Sequence, residues 1–222
     1  MSSRTLYFGF GSNMWKQQMS HRCPASTYVG IGRLRGYEWF INSRGYANIA
    51  PSAKDNGVDS RGPDDPRLDS EVWGLVYELT PDDEASLDIN EGAPYIYEKQ
   101  TIPVEFWPAR SSSSASTAEA LAAEAGKAVP MLVYIDTRHN RGGYPPRDEY
   151  VHRMNAGIHD ALEEGVPASY VRQVLRKYIP PAEGKEKAEE GKNEAGVITE
   201  LEADEELPER ASEVCYAKYY GF

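Results

Sequence analysis

The sequence has little of what a membrane, a nucleic acid or an oxidising compartment requires of a protein. No stretch approaches the roughly 18 consecutive apolar residues of a transmembrane helix, and no apolar segment near the first residues forms a secretory signal. The 222 residues include 24 Lys or Arg and 35 Asp or Glu, and the net charge of −11 argues against nucleic acid or an anionic membrane as partner. The two cysteines, Cys23 and Cys215, make no disulfide framework and indicate a reducing compartment. We therefore expect a cytoplasmic protein.

The acidity is concentrated at one end of the chain. Residues 180–222 contain 12 acidic and 5 basic side chains, with few large apolar residues between Lys185 and Glu206. Such a segment buries too little apolar surface to fold alone, whereas the aromatic end either packs on the body or binds a partner. The serine- and alanine-rich residues 111–126 resemble a flexible insertion. The sequence therefore predicts one domain over residues 1–180, with that insertion, and an acidic, largely disordered tail over residues 181–222.

Apolar patterns along the domain predict many strands and few helices. The predicted strands are Thr5–Phe8, Tyr28–Leu34, Gly36–Asn42, Asn48–Pro51, Glu71–Leu79, Tyr97–Trp107 (with a break at Pro103 left open) and Val129–Asp136. The predicted helices are Met14–Cys23, Pro81–Asn90, Arg147–Gly165 and Pro167–Tyr178. Because helices do not alternate regularly with strands, we expect an α+β fold with a mixed or antiparallel, barrel-like sheet and flanking helices.

A glycine-bearing turn, Gly9-Phe10-Gly11-Ser12-Asn13, lies between the first strand and the first helix. Met14 stands where a dinucleotide fingerprint needs its third glycine, and Ser12 lacks the glycines of a nucleophile elbow. The backbone N–H groups of such a turn can still hold a carboxylate or a developing oxyanion. A tight turn that needs glycine for a positive φ explains the same residues, so both interpretations stay open.

One acidic residue, Glu91, lies at the exit of a predicted helix and is followed by Gly92. The helix dipole disfavours a negative charge there, so this carboxylate should bind a proton more tightly, which suits a general base. A solvated acid beside a turn is the alternative. The four histidines show no i,i+4 pair of the kind that binds zinc, and no metal is assigned.

Three segments, in order and at matching spacing, resemble the γ-glutamylcyclotransferase family, the AIG2-like group with the cyclotransferase fold. Tyr7-Phe8-Gly9-Phe10-Gly11-Ser12-Asn13-Met14 is similar to its Tyr-Phe-x-Tyr-Gly-Ser-Asn-Leu/Met signature. Glu71–Tyr77 is similar to its Val-Trp-Gly strand, and Ser86–Gly92 to its Leu-Asp-x-x-Glu-Gly segment. Phe10 departs from the usual tyrosine, and the stretch Arg33–Pro51 is similar to a fungal subgroup.

The resemblance implies a cofactor-independent enzyme, a lyase or acyltransferase in type, that cyclises a γ-glutamyl group to 5-oxoproline in glutathione metabolism and releases an amine or amino acid. Glu91 is implied as the catalytic residue. The implied substrate-binding residues are Tyr7, Gly9, Phe10, Gly11, Ser12, Asn13, Tyr97, Tyr134 and Tyr150, with Tyr95 competing for the role of Tyr97. The partner is then a small γ-glutamyl molecule.

Two other functions fit the same residues. One is a tailoring enzyme of specialised metabolism that removes γ-glutamyl groups from a glutathione-derived intermediate, and the other is a catalytically idle binding module. The presence of Glu91 speaks against the idle module. The sequence leaves open which γ-glutamyl compound is used and whether the protein is a homodimer.

Overall fold

Five strands close into a barrel in the computed structural model, and a two-stranded hairpin accompanies it. The structure describes residues 4–52, 70–109 and 126–182. The strands are β1 (Thr5–Gly9), β2 (Thr27–Arg35), β3 (Tyr37–Ile41), β4 (Ala47–Pro51), β5 (Glu71–Leu79), β6 (Glu98–Pro108) and β7 (Lys127–Ile135). The helices are α1 (Lys16–Arg22), α2 (Pro81–Glu91), α3 (Asp148–Glu163) and α4 (Ala168–Gln173), and single 3₁₀ turns cover Ser12–Met14 and Leu175–Lys177. The expected insertion, apart from Gly126, and the expected tail beyond residue 182 lie outside the described residues.

The barrel strands follow the order β1-β5-β2-β6-β7, and β7 returns to β1. Every neighbouring pair is antiparallel except the closing one, in which Tyr7 lies opposite Leu132 in parallel. This confirms the predicted α+β class with a mixed, barrel-like sheet. Because β1 ends at Gly9 between β5 and β7, the turn that follows leaves from the barrel rim. Within the three described ranges, no helix is both long and apolar enough to cross a membrane.

Two glycines make room for an aromatic ring inside the barrel. Gly32 of β2 lies opposite Gly74 of β5, and a Cβ on either would come within 3.0 Å of the Phe8 ring. A Cβ on Gly74 would also lie 2.3 Å from the carbonyl oxygen of Gly9, closer than real contacts allow. Phe8 is fully buried, so its packing fixes where β1 emerges from the barrel.

The hairpin of β3 and β4 is joined to the barrel by polar contacts. Trp39 donates its indole N–H to the carbonyl of Phe10 at 3.0 Å. The Asn48 amide donates to the carbonyl of Asp136 at 2.8 Å and accepts from its backbone N–H at 3.0 Å. Since Asp136 directly follows β7 and Phe10 follows β1, the hairpin is held against the rim from which the glycine-bearing turn leaves.

Helix α2 has a defined beginning and end. Thr80 and Asp83 form a reciprocal capping box, in which each side chain accepts a hydrogen bond from the other's backbone N–H. Leu87, on the inner face of this helix, is fully buried. The left-handed conformation of Gly92, with φ 65° and ψ 34°, stops the helix directly after Glu91.

Replacing Thr80 with alanine should lower the free energy of unfolding by about 1 kcal/mol, because it removes the N-cap acceptor. The measurement is the urea midpoint of unfolding. Thr80→Ser retains the hydroxyl and should stay close to the original midpoint. Equal losses in the two variants would show that the threonine methyl group, rather than the cap, stabilises this turn.

Strand β6 runs through Pro103 without a break. Pro103 lies opposite Pro130 of β7. Two prolines suit a non-hydrogen-bonded pair of an antiparallel ladder, because in such a pair the N–H groups point away from the opposite strand and need no partner there. On its other side, β6 pairs with β2 only from Glu105 onward. The missing N–H of Pro103 therefore removes no ladder hydrogen bond, and the strand continues.

Two helices are shorter than predicted. The segment Met14–Cys23 does not form one helix, because Trp15 is extended, with φ −76° and ψ 107°, and separates a 3₁₀ turn from α1. The segment Pro167–Tyr178 is likewise divided, since α4 ends at Gln173 and a 3₁₀ turn follows from Leu175.

Candidate active site

The candidate site is organised around the buried side chain of Asn13, in the 3₁₀ turn after β1. Its Nδ2 donates to Tyr7 Oη at 2.8 Å and to Glu91 Oε1 at 3.0 Å. Its Oδ1 accepts from Gln18 Nε2 at 2.7 Å and from Arg22 Nη1 at 3.0 Å. Both donors and both acceptor positions of the amide are thus occupied, which fixes its orientation.

The carboxylate of Glu91 is held on one oxygen and left open on the other. Oε1 accepts from Asn13 and lies 3.5 Å from Nη1 of Arg22. Oε2 accepts no hydrogen bond from any residue that the structure describes. The side chain is 16% exposed. Burial raises the pKa of Glu91 above its ordinary value, although the charge of Arg22 and the Asn13 hydrogen bond oppose the rise. The site therefore holds a carboxylate with raised proton affinity and one free oxygen.

Hydrogen bonds of Ser12 hold the turn after β1 in place. Its Oγ accepts from Gln18 Nε2 and from Arg153 Nη1, each at 3.1 Å. Its backbone N–H donates to Tyr150 Oη at 3.3 Å. One of the amides expected to form an anion cradle is therefore engaged by a tyrosine hydroxyl. Phe10 turns its ring into the core, 6.3 Å from Phe8 between ring centroids.

The need for glycine at Gly11 has a different physical cause from the positive φ considered from the sequence. Gly11 has φ −114°, so it does not adopt the left-handed conformation that favours glycine. A Cβ there would instead lie 2.8 Å from Tyr150 Oη and 3.3 Å from Ala47 Cβ. Close approach of the tyrosine hydroxyl, which also accepts from the Ser12 amide, is what excludes a larger residue.

Gly11→Ala should therefore lower turnover more than Ser12→Ala, by about 10-fold or more, because the new methyl group displaces the Tyr150 hydroxyl. The measurement is kcat for both variants on the substrate that the wild type turns over fastest. Ser12→Ala leaves the backbone bond to Tyr150 intact and releases only Gln18 and Arg153. The opposite ranking would show that the Ser12 hydroxyl itself contacts the substrate.

The predicted tyrosines lie in different surroundings. Tyr7 and Tyr150 are buried, with their hydroxyls on Asn13 and on the Ser12 amide, respectively. Tyr97 is also buried and donates to the carbonyl of Ala47 at 3.5 Å, whereas Tyr95 is 79% exposed. Burial raises the pKa of Tyr150 to about 12, so its hydroxyl stays protonated at neutral pH. The surroundings of Tyr97, rather than those of Tyr95, match a pocket residue.

Tyr134 directs its hydroxyl to another part of α2. Its Oη donates to Asp88 Oδ1 at 2.6 Å, and Lys99 Nζ lies 3.1 Å from Oδ2 of the same carboxylate. Only the ring of Tyr134 reaches the Asn13 network, packing edge-on against Tyr7 at 5.8 Å. Tyr134 thus lines the site with its ring, while its hydroxyl contacts Asp88, one helical turn before Glu91.

Three arginines beside the site were not singled out from the sequence. Arg22 ends α1, Arg44 lies in the β3–β4 turn, and Arg153 follows Tyr150 by three residues on α3. Their positive charges all oppose the rise of the Glu91 pKa. The i,i+3 spacing places Arg153 and Tyr150 on one helix face, so Arg153 could have been found from the sequence. No local pattern places Arg44 of the hairpin turn beside the site.

The described residues include one group with the spacing of metal ligands, His159, Asp160 and Glu163 on α3. His159 is exposed, and Asp160 already accepts the backbone N–H of Lys16 at 2.8 Å. This group shares no residue with the network around Asn13.

The AIG2-like family model matches residues 71–174 of the chain. This match includes Glu91, Tyr97, Tyr134 and Tyr150 but begins after the turn that contains Asn13. Among curated proteins, the chain is 26% identical to the γ-glutamylcyclotransferase of Bos taurus over 176 residues, which cover 76% of each chain. It is 25% identical to that of Homo sapiens over 179 residues, 79% of each chain.

Solved structures share the fold. One named γ-glutamyl cyclotransferase aligns with a TM-score of 0.56 at 23% identity, covering 85% of this chain and 97% of its own. An uncharacterized human protein aligns with a TM-score of 0.55 at 25% identity, covering 84% and 96%, respectively. The barrel with its hairpin and helices is therefore a γ-glutamylcyclotransferase-like fold.

Proposed function

We propose that this protein is a γ-glutamylcyclotransferase, which converts a γ-glutamyl compound to 5-oxoproline and a free amine or amino acid. The observation that carries the proposal is the Glu91 carboxylate, which is largely buried, has a raised pKa, is fixed through Oε1 and is open at Oε2. Such a carboxylate suits a reaction that needs one proton taken up and one returned. The curated relatives of the chain bear this enzyme's name.

The reaction is an intramolecular aminolysis. Oε2 of Glu91 takes a proton from the substrate's α-ammonium, and the freed amine attacks the γ-carbonyl carbon. The new C–N bond closes a five-membered lactam as the bond to the leaving nitrogen breaks. The attacking nitrogen gives up a second proton as it becomes the lactam N–H, and the leaving nitrogen takes up both protons, one of them from Glu91, so that the amine departs as an ammonium group. No water, oxidant or cofactor enters, because ring closure gains from having both reacting groups in one molecule.

Other residues of the site support this role. The Asn13 amide keeps Oε1 in place, so that Oε2 faces a constant direction. The arginines supply positive charge for substrate carboxylates, which a γ-glutamyl group always carries. The hydroxyls of Tyr97 and Tyr150 and the backbone of Gly9–Asn13 are the groups we assign to holding the γ-glutamyl group, with Phe10 contributing only its backbone.

The proposal is tested by incubating purified protein with glutathione and a panel of γ-glutamyl dipeptides and quantifying 5-oxoproline and the released amine. We expect equal amounts of the two products. N-acetyl-γ-glutamyl dipeptides lack the nucleophilic amine and should give neither product. Release of glutamate in place of 5-oxoproline would identify a hydrolase, and no turnover of any compound would favour a binding module.

A further inference from the structure

Three guanidinium groups surround one aromatic ring beside the candidate site. The guanidinium carbons of Arg44, Arg147 and Arg153 lie 5.8, 5.4 and 6.0 Å from the ring centroid of Tyr46. We call these four residues the Tyr46 cluster. The ring of Tyr46 packs edge-on against the ring of Tyr150, with 5.1 Å between the ring centroids. The cluster therefore continues the wall of the site toward the protein surface.

The positive charge of this cluster is only partly compensated. Arg44 lies 3.1 Å from a carboxylate oxygen of Asp136, and Arg153 lies 2.8 Å from Glu149. Arg147 forms no ion pair with any acid in the part of the chain that the structure describes, and its Nε donates to the backbone carbonyl of Arg44. One guanidinium thus remains available for an anion.

Exposure increases from Glu91 and Arg22 to Arg147. The side chains of Glu91 and Arg22 are each 16% exposed, that of Arg153 is 17% exposed and that of Arg44 is 27% exposed, whereas Arg147 is exposed. In a γ-glutamyl substrate the reacting carbonyl joins the γ-glutamyl group to the leaving amine. If the γ-glutamyl group occupies the buried end, beside Glu91, the leaving group extends toward the Tyr46 cluster.

We infer that the Tyr46 cluster binds a carboxylate on the leaving group and makes the enzyme selective for γ-glutamyl amino acids and peptides over γ-glutamylamines. The inference rests on the proposed function. Contact with the Tyr46 ring positions the guanidinium groups before a ligand arrives. A planar guanidinium binds a carboxylate through two parallel hydrogen bonds. A neutral amine leaves this charge without a partner.

The test compares kcat/KM for γ-glutamyl-L-alanine and γ-glutamyl-L-alaninamide, which differ only in the charge of the leaving group. We expect the acid to be preferred by about 10-fold or more, the usual range for a charge-assisted hydrogen bond. Arg147→Gln should bring this ratio close to one, and Arg147→Lys, which keeps the charge but not the planar fork, should give an intermediate ratio.

Arg141→Gln is the matched control, because Arg141 is also exposed, precedes α3 and makes no ion pair or ring contact within the described ranges. It removes the same charge and should leave the ratio unchanged. A parallel comparison of glutathione with its glycinamide form shows whether the carboxylate is bound on the first residue of the leaving group or on a second one.

The outcomes separate the two proposals. Equal kcat/KM for acid and amide, with 5-oxoproline formed from both, overturns the selectivity while the proposed function stands. A preference that Arg147→Gln and Arg141→Gln reduce equally shows a general charge effect and also overturns the role of the cluster. No 5-oxoproline from any γ-glutamyl compound overturns both.

Discussion

Glu91→Gln should lower the kcat for 5-oxoproline formation at least about 100-fold, the usual contribution of a general acid–base group. Glutamine keeps the shape of the side chain and can still accept a hydrogen bond from Asn13 Nδ2. It cannot take the proton of the substrate's ammonium group. The measurement is the steady-state rate of 5-oxoproline release, and KM should change little because the γ-glutamyl contacts remain.

Asp88→Asn serves as the control on the same helix. Asp88 lies three residues before Glu91 and contacts Tyr134 and Lys99 rather than Asn13. We expect this variant to retain most of the activity. Near-full activity in Glu91→Gln together with an inactive, folded Asp88→Asn would move the general base to Asp88.

The Glu91→Gln variant should lose activity but not stability. The pKa of Glu91 is raised in the folded protein. Its contribution to the free energy of unfolding is therefore favourable below the pKa that the same glutamate has in the unfolded chain, and it is lost as pH rises through the pKa of the folded protein. At pH 7 the melting temperature of Glu91→Gln should therefore equal or exceed that of the wild type. At about pH 4, where a glutamate in the unfolded chain is itself largely protonated, this advantage should vanish.

Asn13→Asp should shift the acidic limb of the pH profile of kcat/KM upward by about one pH unit or more. The substitution removes the Nδ2 donor from Glu91 and adds a second negative charge at hydrogen-bond distance. Both changes raise the pKa of Glu91, so less of it is ionised at a given pH. At pH values below the acidic limb of the wild type, the activity should therefore fall by about 10-fold or more.

Gln18→Glu is the matched control for this variant. Gln18 contacts Asn13 and Ser12 but not Glu91, so the same added charge lies one hydrogen bond farther away. Its effect on the acidic limb should be smaller. If the acidic limb of the pH profile shifts in Gln18→Glu but not in Asn13→Asp, a group other than Glu91 controls that limb.

Much of the fold follows from patterns within single segments. Alternation along Glu71–Leu79 predicts β5 with its observed bounds, and Thr80 followed by Pro81 predicts the start of α2. The barrel's closure is not visible in such patterns, because it depends on which strands meet. Pro103 shows the limit of a local rule, since its neighbour across the ladder is another proline.

The candidate site divides in the same way. Glu91 and the glycine-bearing turn are marked by local sequence and by the family resemblance. The contacts that organise them are not, because Asn13 meets Glu91 and Arg153 meets Ser12 across long stretches of chain. Gly11 shows that even a correctly chosen residue can have a different physical cause, here the nearby hydroxyl of Tyr150.

The parallel pairing of β1 with β7 has a consequence for biosynthesis. Tyr7 is synthesised well before its partner Leu132, which lies 125 residues later in the chain. At translation rates of about 5–20 residues per second, the β7-facing edge of β1 waits many seconds for its neighbour. The turn that carries Asn13 is therefore synthesised early, yet it reaches its final surroundings only after the last barrel strand and α3 have emerged.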